Sequence, residues 1–471
     1  MARQVLRKID RRLLPLLFIT CMLNFMDKTI LSVASVFGLQ HDTGLKGQEY
    51  SWVSSIFYFG YFVWAYPTTF LISRLPVAKY LTANTVFWGL VVALTGACTN
   101  YGGLLTMRFL LGVAEATILP ALMFIMSTWY TRDEIPTRIG ICLSGNSVGG
   151  LAAGLLGFAI GQIRDSIAPW RWMFILLGLC TFLWAFVLLW LLPDSISSAK
   201  FLTVEERQHA GDRVVAAGTG RTEKTSWHWD QTWECLIDPK TWFILGLQIL
   251  TQIPNGGTQN FAHLVITSFG FTDLQSTLIN IPYSLICGGV IMGTGYLASR
   301  HRNINCLLLI AVVLPCVVGS AIIYARERTS KGAQLFGYFL LSTGPATMPL
   351  VLSLVQVNYR GVTKKMTATA LCFLMYCAGN IIGPQLFRTS EAPTYHTAFG
   401  GIIICYSLVA AISMGLISYL RRVNARRVRE QRPREAVAQN GTHIVNEDEL
   451  IWFQDYEDTT DWKTPGFGYR Y

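Results

Sequence analysis

Four ionisable side chains sit where the surrounding sequence is apolar: Asp27 and Lys28 in one hydrophobic stretch, Arg108 and Glu115 in another. Placing such a group in hydrocarbon costs at least about 2.5 to 3.5 kcal/mol on insertion scales, so each is expected to face a polar cavity or a counter-charge. Asp27 and Lys28 are neighbours in sequence and project roughly 100° apart on a helix, so each needs a partner elsewhere. Arg108 and Glu115 lie two turns apart along one face, which lets both line the same cavity without touching. Cations held in this way suit an anion, and a carboxylate held in this way suits a proton. The same four groups could instead only tie helices together as ion pairs.

Amides form a second set. The run Gln252-Ile253-Pro254-Asn255-Gly256-Gly257-Thr258-Gln259-Asn260 places a proline, two glycines and several amides within an apolar segment. It is expected to unwind locally and to offer freed backbone groups and side-chain amides to a ligand; the alternative is a kink whose amides bridge neighbouring helices. Tyr376, Asn380, Gly383 and Pro384 repeat the theme more mildly. Gly145, Gly149, Ala153 and Gly157, spaced by four, leave one helix face nearly bare and predict close packing, with Asn146 beside it as a ligand candidate. The candidate substrate-binding residues are thus Lys28, Arg108, Asn146, Asn255, Gln259, Tyr376 and Asn380, and the candidate proton carriers are Asp27 and Glu115.

Other chemistries find little support. No Gly-Lys dipeptide occurs, which excludes a Walker A loop and argues against transport driven directly by ATP. No H-E-x-x-H is present, the seven histidines are scattered, and His263 alone falls in an apolar span, so neither an enzyme nor a metal or other cofactor is expected. The eleven cysteines include no C-x-x-C pair, and all but Cys235 lie in or at the ends of apolar segments, as packing residues do.

The elements that must position these groups follow from composition. The chain has 471 residues, 52% hydrophobic and only 14% charged, with a mean hydropathy of +0.39. A soluble domain carries roughly 25% charge, and these apolar residues cluster in stretches of about 20, the length that crosses a bilayer. Twelve spans are predicted, near 14–37, 52–73, 80–98, 103–129, 139–161, 171–192, 242–265, 277–298, 305–324, 335–357, 367–387 and 397–419. The fold class is an all-α polytopic membrane protein. A charged stretch, 193–240, separates two six-helix bundles, 14–192 and 241–420, with tails at 1–13 and 421–471.

Topology follows from the basic residues. The termini and the connections on their side hold 29 Lys and Arg, against 7 on the other side. Both termini are therefore predicted to be cytoplasmic. The net charge of +10 is explained by this bias and the lipid bilayer rather than by nucleic acid. The basic segment 3–12 runs into a long apolar stretch without a cleavage site, so it reads as a first span and not a removed signal. The sequon Asn440-Gly441-Thr442 falls on the cytoplasmic side and is expected to stay unglycosylated. Leu71-Ile72-Ser73-Arg74 and Leu297-Ala298-Ser299-Arg300 hint at a repeat of whole bundles, the arrangement that places a substrate at the interface between halves.

Several segments carry a family resemblance. They include Arg7-Lys-Ile-Asp-Arg-Arg-Leu-Leu-Pro15, Phe25-Met-Asp-Lys-Thr29, Arg108-Phe-Leu-Leu-Gly-Val-Ala-Glu-Ala116, Phe201-Leu-Thr-Val-Glu-Glu-Arg207, Ile253-Pro-Asn-Gly-Gly257 and Gly379-Asn-Ile-Ile-Gly-Pro-Gln-Leu-Phe-Arg388. In the tail, Thr459-Thr-Asp461 and Phe467-Gly-Tyr-Arg470 match an acidic-aromatic ending. With the six-plus-six split, the chain resembles the major facilitator superfamily and, within it, the fungal allantoate permease family of the anion:cation symporter branch. The resemblance implies proton-coupled transport of a small organic anion by alternating access, with no cofactor, in a monomer, most naturally at the plasma membrane. It also implies roles for Asp27, Lys28, Arg108, Glu115 and Asn255. Where the family carries a glutamate before the span 2 proline this chain has Ala65, and where many members carry an acid in span 6 it has Leu177. Those departures favour, as an alternative, an exporter of a larger and flatter secondary metabolite. A second alternative is a non-transporting nutrient sensor.

Overall fold

The structure is a computed structural model that describes residues 2–131, 134–163, 167–216, 228–301, 303–438, 459–464 and 467–471. The sequon at 440–442 lies outside the described residues, as do Arg132, Arg164, Arg221, Lys224 and Arg302 of the basic-residue tally.

Long helices occupy all twelve predicted spans. The first half contains α1 (Ala2–Val36), α2 (Glu49–Arg74), α3 (Val77–Thr95), α4 (Tyr101–Trp129), α5 (Ile135–Gly161) and α6 (Pro169–Leu191). The second contains α7 (Pro239–Ser268), α8 (Asp273–Arg300), α9 (Asn305–Tyr324), α10 (Lys331–Asn358), α11 (Val362–Gln385) and α12 (His396–Ala438). Ten are long and apolar enough to cross a membrane. The other two, α2 and α7, span 26 and 30 residues but carry the polar side chains of the seam between halves.

Helix ends follow local chemistry. Asn100 and Ser330 accept backbone N–H bonds from Gly103 and Ala333, and Thr272 with Gln275 forms a capping box at the start of α8. Proline opens α6 and α7, where its missing N–H costs nothing. Inside α4 and α10, Pro120 and Pro345 obstruct the carbonyl four residues earlier. α4 accordingly breaks between Glu115 and Ile118, and α10 passes through a 3-10 turn, Leu341–Ala346.

Helix crossings depend on glycine. A Cβ on Gly112 would strike the Phe57 carbonyl and one on Gly60 the Phe109 carbonyl, so α2 and α4 touch backbone to backbone. Gly145 and Gly149 do the same for α5 against Phe18 and Met22 of α1, at 2.6 and 2.5 Å. The close packing predicted for that stripe is what the structure shows.

One sequence expectation is overturned. The Pro254-Asn255-Gly256-Gly257 run does not unwind, because α7 is a continuous helix through it. Its glycines are used for packing: a Cβ on Gly256 would lie 2.8 Å from Asn380 Cα, and Gly383 of α11 meets the Ile253 carbonyl. Asn380 of α11 donates across this crossing to Gln252 at 3.2 Å, and within α7 Asn255 donates to the same Gln252 oxygen at 3.3 Å. The bridging alternative therefore describes this segment.

The two halves meet on the side away from the termini. Tyr50 donates to the Asn260 carbonyl at 2.8 Å, Ser55 to the Ile381 carbonyl at 2.8 Å, and Gln385 to Ser55 at 3.0 Å. Along α5 and α8, Gly157, Gly154 and Gly150 abut Thr277, Ile281 and Ser284, and Gly288 abuts Ser147. One turn or two farther toward the termini on the same stripes, Gly140 and Gly295 face open space. The seam is a wedge, closed at one end and open toward the face that carries the termini.

Candidate functional site

At the apex of this wedge lie the four intramembrane charges. Lys28 Nζ is 3.4 Å from Glu115 Oε2, an ion pair between α1 and α4, and Asn24 donates to the same oxygen at 2.7 Å. The Glu115 side chain is wholly buried and its other oxygen has no hydrogen-bond partner among the described residues. Lys28 also lies 5.8 Å from the ring centroids of both Phe57 and Tyr61, within cation–π range.

Arg108 differs from an ordinary structural arginine. It is 3% exposed, its guanidinium stands 5.7 Å from the Phe174 ring centroid, and its Nε and Nη2 groups make no hydrogen bond among the described residues. Buried N–H groups are seldom left unmet, and a charged one is the most costly to leave. Asp27 is equally buried, and among the described residues neither of its oxygens makes a well-formed hydrogen bond; its polar neighbours include the Trp88 indole N–H, which also lacks one there.

Lys28 and Arg108 line a cavity with Ser54, Phe57, Tyr58, Gln259 and Asn260, so both halves contribute. The free volume is about 10 Å³, room for a single water. Gln259 Nε2 is buried there without a partner among the described residues. Tyr376 stands at the same level, its ring 5.9 Å from Tyr58 across the seam, while Tyr61 and Phe373 approach at 5.3 Å.

The structure thus gathers Asp27, Lys28, Arg108, Glu115, Gln259 and Tyr376 around one region. Asn380 is engaged in the α7–α11 crossing instead, Asn255 bonds to Gln252 within its own helix and does not line the cavity, and Asn146 is half-buried on α5 and does not line it either. Sequence reasoning passed over Ser54, Phe57 and Tyr58, whose types are ordinary for a membrane helix and become informative only once α2 is seen to line the seam. It also passed over Gly145-Asn146-Ser147-Val148-Gly149, which spells the G-x-S-x-G of hydrolases. That motif needs a strained turn between strand and helix, and here Ser147 lies in mid-helix against Gly288.

Comparison with known proteins agrees with this architecture. Residues 17–384 match the Major Facilitator Superfamily. An uncharacterized transporter of Schizosaccharomyces pombe is 32% identical over 472 residues, covering 100% of this chain and 88% of that one. The allantoate permease of Saccharomyces cerevisiae is 30% identical, covering 99% and 86%. Among solved structures, a bacterial homolog of the human lysosomal transporter Spinster, inward-facing and unoccupied, superimposes with a TM-score of 0.66 at 14% identity, covering 86% of this chain and 96% of that one.

Proposed function

Because the chain belongs to the major facilitator superfamily, among the fungal transporters that include the allantoate permease, we propose that this secondary transporter carries a small organic anion coupled to protons. The observation that carries the reading is Arg108: a buried guanidinium with two unmet N–H groups, at a cavity shared by both halves and beside a second cation, Lys28. A carboxylate supplies two acceptor oxygens in the fork geometry that a guanidinium matches. Asp27 and Glu115 balance the two cations when the cavity holds no anion. An arriving carboxylate competes with Glu115 for Lys28, and a proton on Glu115 frees the ammonium for the substrate. Anion and proton therefore travel together.

The excess of basic residues on the side of the termini supports a cytoplasmic location for both, and on that reading the wedge opens inward. The plasma membrane is the natural setting for such a carrier, and a monomer contains both halves of the site. The test is flux of a labelled carboxylate in proteoliposomes with Arg108→Ala. Transport should be lost while the protein still folds and inserts; normal flux in that variant removes Arg108 from the site.

A second reading is favoured by the rings that cross the seam. Tyr58, Tyr61, Phe373 and Tyr376 form an aromatic wall suited to a flat anion, and Ala65 and Leu177 leave the first half less acidic than the family resemblance implies. Such a carrier exports an aromatic metabolite. Untargeted mass spectrometry of medium and cells from a deletion strain separates the two readings: a nutrient left in the medium marks an importer, and a metabolite trapped in the cells marks an exporter.

A further inference from the structure

The last residues of the chain do not hang free. Asp461 is fully buried and pairs with two buried lysines, Lys240 of α7 and Lys364 of α11, the latter at 2.8 Å. The lysines share Asp238 at 2.9 and 3.1 Å, and Lys364 also reaches Glu234 at 2.7 Å. These two acids belong to the segment around a short helix, Trp229–Ile237, that leads into α7. Thr460 donates to the second oxygen of Glu234 at 2.9 Å, and Tyr469 donates to Asp461 at 2.6 Å.

Backbone recognition accompanies the charges. Asn424 of α12 donates to the Tyr469 carbonyl at 2.8 Å and accepts its N–H at 2.9 Å. Asn358 of α10 treats Arg470 in the same way, at 2.8 Å in both directions. Arg427 donates to the carbonyls of Asp461 and Phe467, both at 3.0 Å. The Tyr469 ring lies 4.3 Å from the Lys240 ammonium and the Trp462 ring 4.8 Å from that of Lys364. Two asparagines reading successive residues as a strand partner would, together with two buried ammoniums that each turn toward one carboxylate of the segment, is how a peptide is bound.

We propose that the terminal face of the second half contains a peptide-recognition site for an acidic-aromatic segment, occupied in cis by residues 459–464 and 467–471, and that its occupant clamps the ends of α7, α10, α11 and α12 together. Burial alone would raise the Asp461 carboxyl, but Lys240 and Lys364 outweigh it and hold the group below the ordinary carboxylate value, as expected of an integral counter-ion. The proposal is independent of the substrate carried.

The experiment uses the purified full chain, a chain lacking residues 459–471, and a synthetic peptide of those thirteen residues. Truncation should lower the melting temperature, and the peptide should restore it in a saturable manner, whereas a peptide carrying Asp461→Asn should not. A truncated chain that melts like the full chain, or equal rescue by both peptides, overturns the proposal. Should the truncated chain fail to fold, full-length Asp461→Asn and the pair Asn358→Ala with Asn424→Ala decide the matter: each should melt earlier than the native chain, and native melting in both overturns it. Melting needs no substrate, so failure here is distinguishable from failure of the transport reading.

Discussion

A buried carboxylate beside an ammonium can hold a proton or a counter-ion, and the proposed coupling has Glu115 alternate between them. Glu115→Gln keeps an acceptor for Asn24 but gives up both the charge and the exchangeable proton. Accumulation driven by a pH gradient should fall more than exchange of substrate for substrate, since exchange need not release the proton. Equal loss of both would mean that Glu115 only supports Lys28. Asp461 makes a second test, with its sign fixed by the depressed carboxyl. A group whose folded pKa is lowered stabilises the fold above its unfolded value, here 3.8, and loses that contribution as pH falls through the folded value. Lys240, Lys364, Arg427, Asp238, Glu234, Tyr419 and Tyr469 are among the charged and titratable groups around it. Removing one partner of a buried pair costs about 3–5 kcal/mol, so Asp461→Asn should melt well below the native chain at neutral pH. The difference should narrow as pH drops below 3.8; a gap that stays constant would contradict the assignment. The four intramembrane charges were legible in the sequence because hydrocarbon makes any charge conspicuous. The tail's partners were not, since nothing in Thr459-Thr460-Asp461 announces two lysines more than ninety residues away.

At the level of elements, glycine decides how closely helices cross. The α2–α4 crossing brings Lys28's aromatic neighbours, Phe57 and Tyr61, against the helix that bears Arg108 and Glu115. Gly112→Val should push these helices apart, at the roughly 1–3 kcal/mol typical of overpacking or more, because the obstructing atom is the Phe57 carbonyl and not a side chain that can swing away. Lower melting temperature and lost flux are the expected readouts; native behaviour would show that α2 and α4 are not held as described. By contrast, Gly211→Ala lies in the short helix Val204–Ala216 with open space around it, and should leave flux unchanged while adding up to about 1 kcal/mol of helix propensity. Helix positions were readable from hydropathy, and the Gly145 to Gly157 stripe from its spacing. The behaviour of Pro254-Asn255-Gly256-Gly257 was not. A proline and two glycines weaken an isolated helix, but α11 supplies Asn380 and Gly383 to hold this one together, and that partner lies more than a hundred residues away.

Over the whole molecule, a cavity of about 10 Å³ at the point of a wedge holds no organic anion until the seam moves. Carriers of this architecture bind at the interface of two bundles that rock about the site. The closed end must therefore open in the cycle, and the Ser55–Gln385 hydrogen bond across it must break. A disulfide between Ser55→Cys and Gln385→Cys should stop flux, and reduction should restore it; undiminished flux in a cross-linked sample would exclude opening at that end. The most direct measurement of the central claim is uptake of labelled carboxylates into proteoliposomes with and without an imposed pH gradient, for the native protein beside Arg108→Ala. Gradient-dependent accumulation of at least one carboxylate by the native protein, absent from the variant, is the expected result. Flux that ignores both the gradient and the loss of the guanidinium would contradict it.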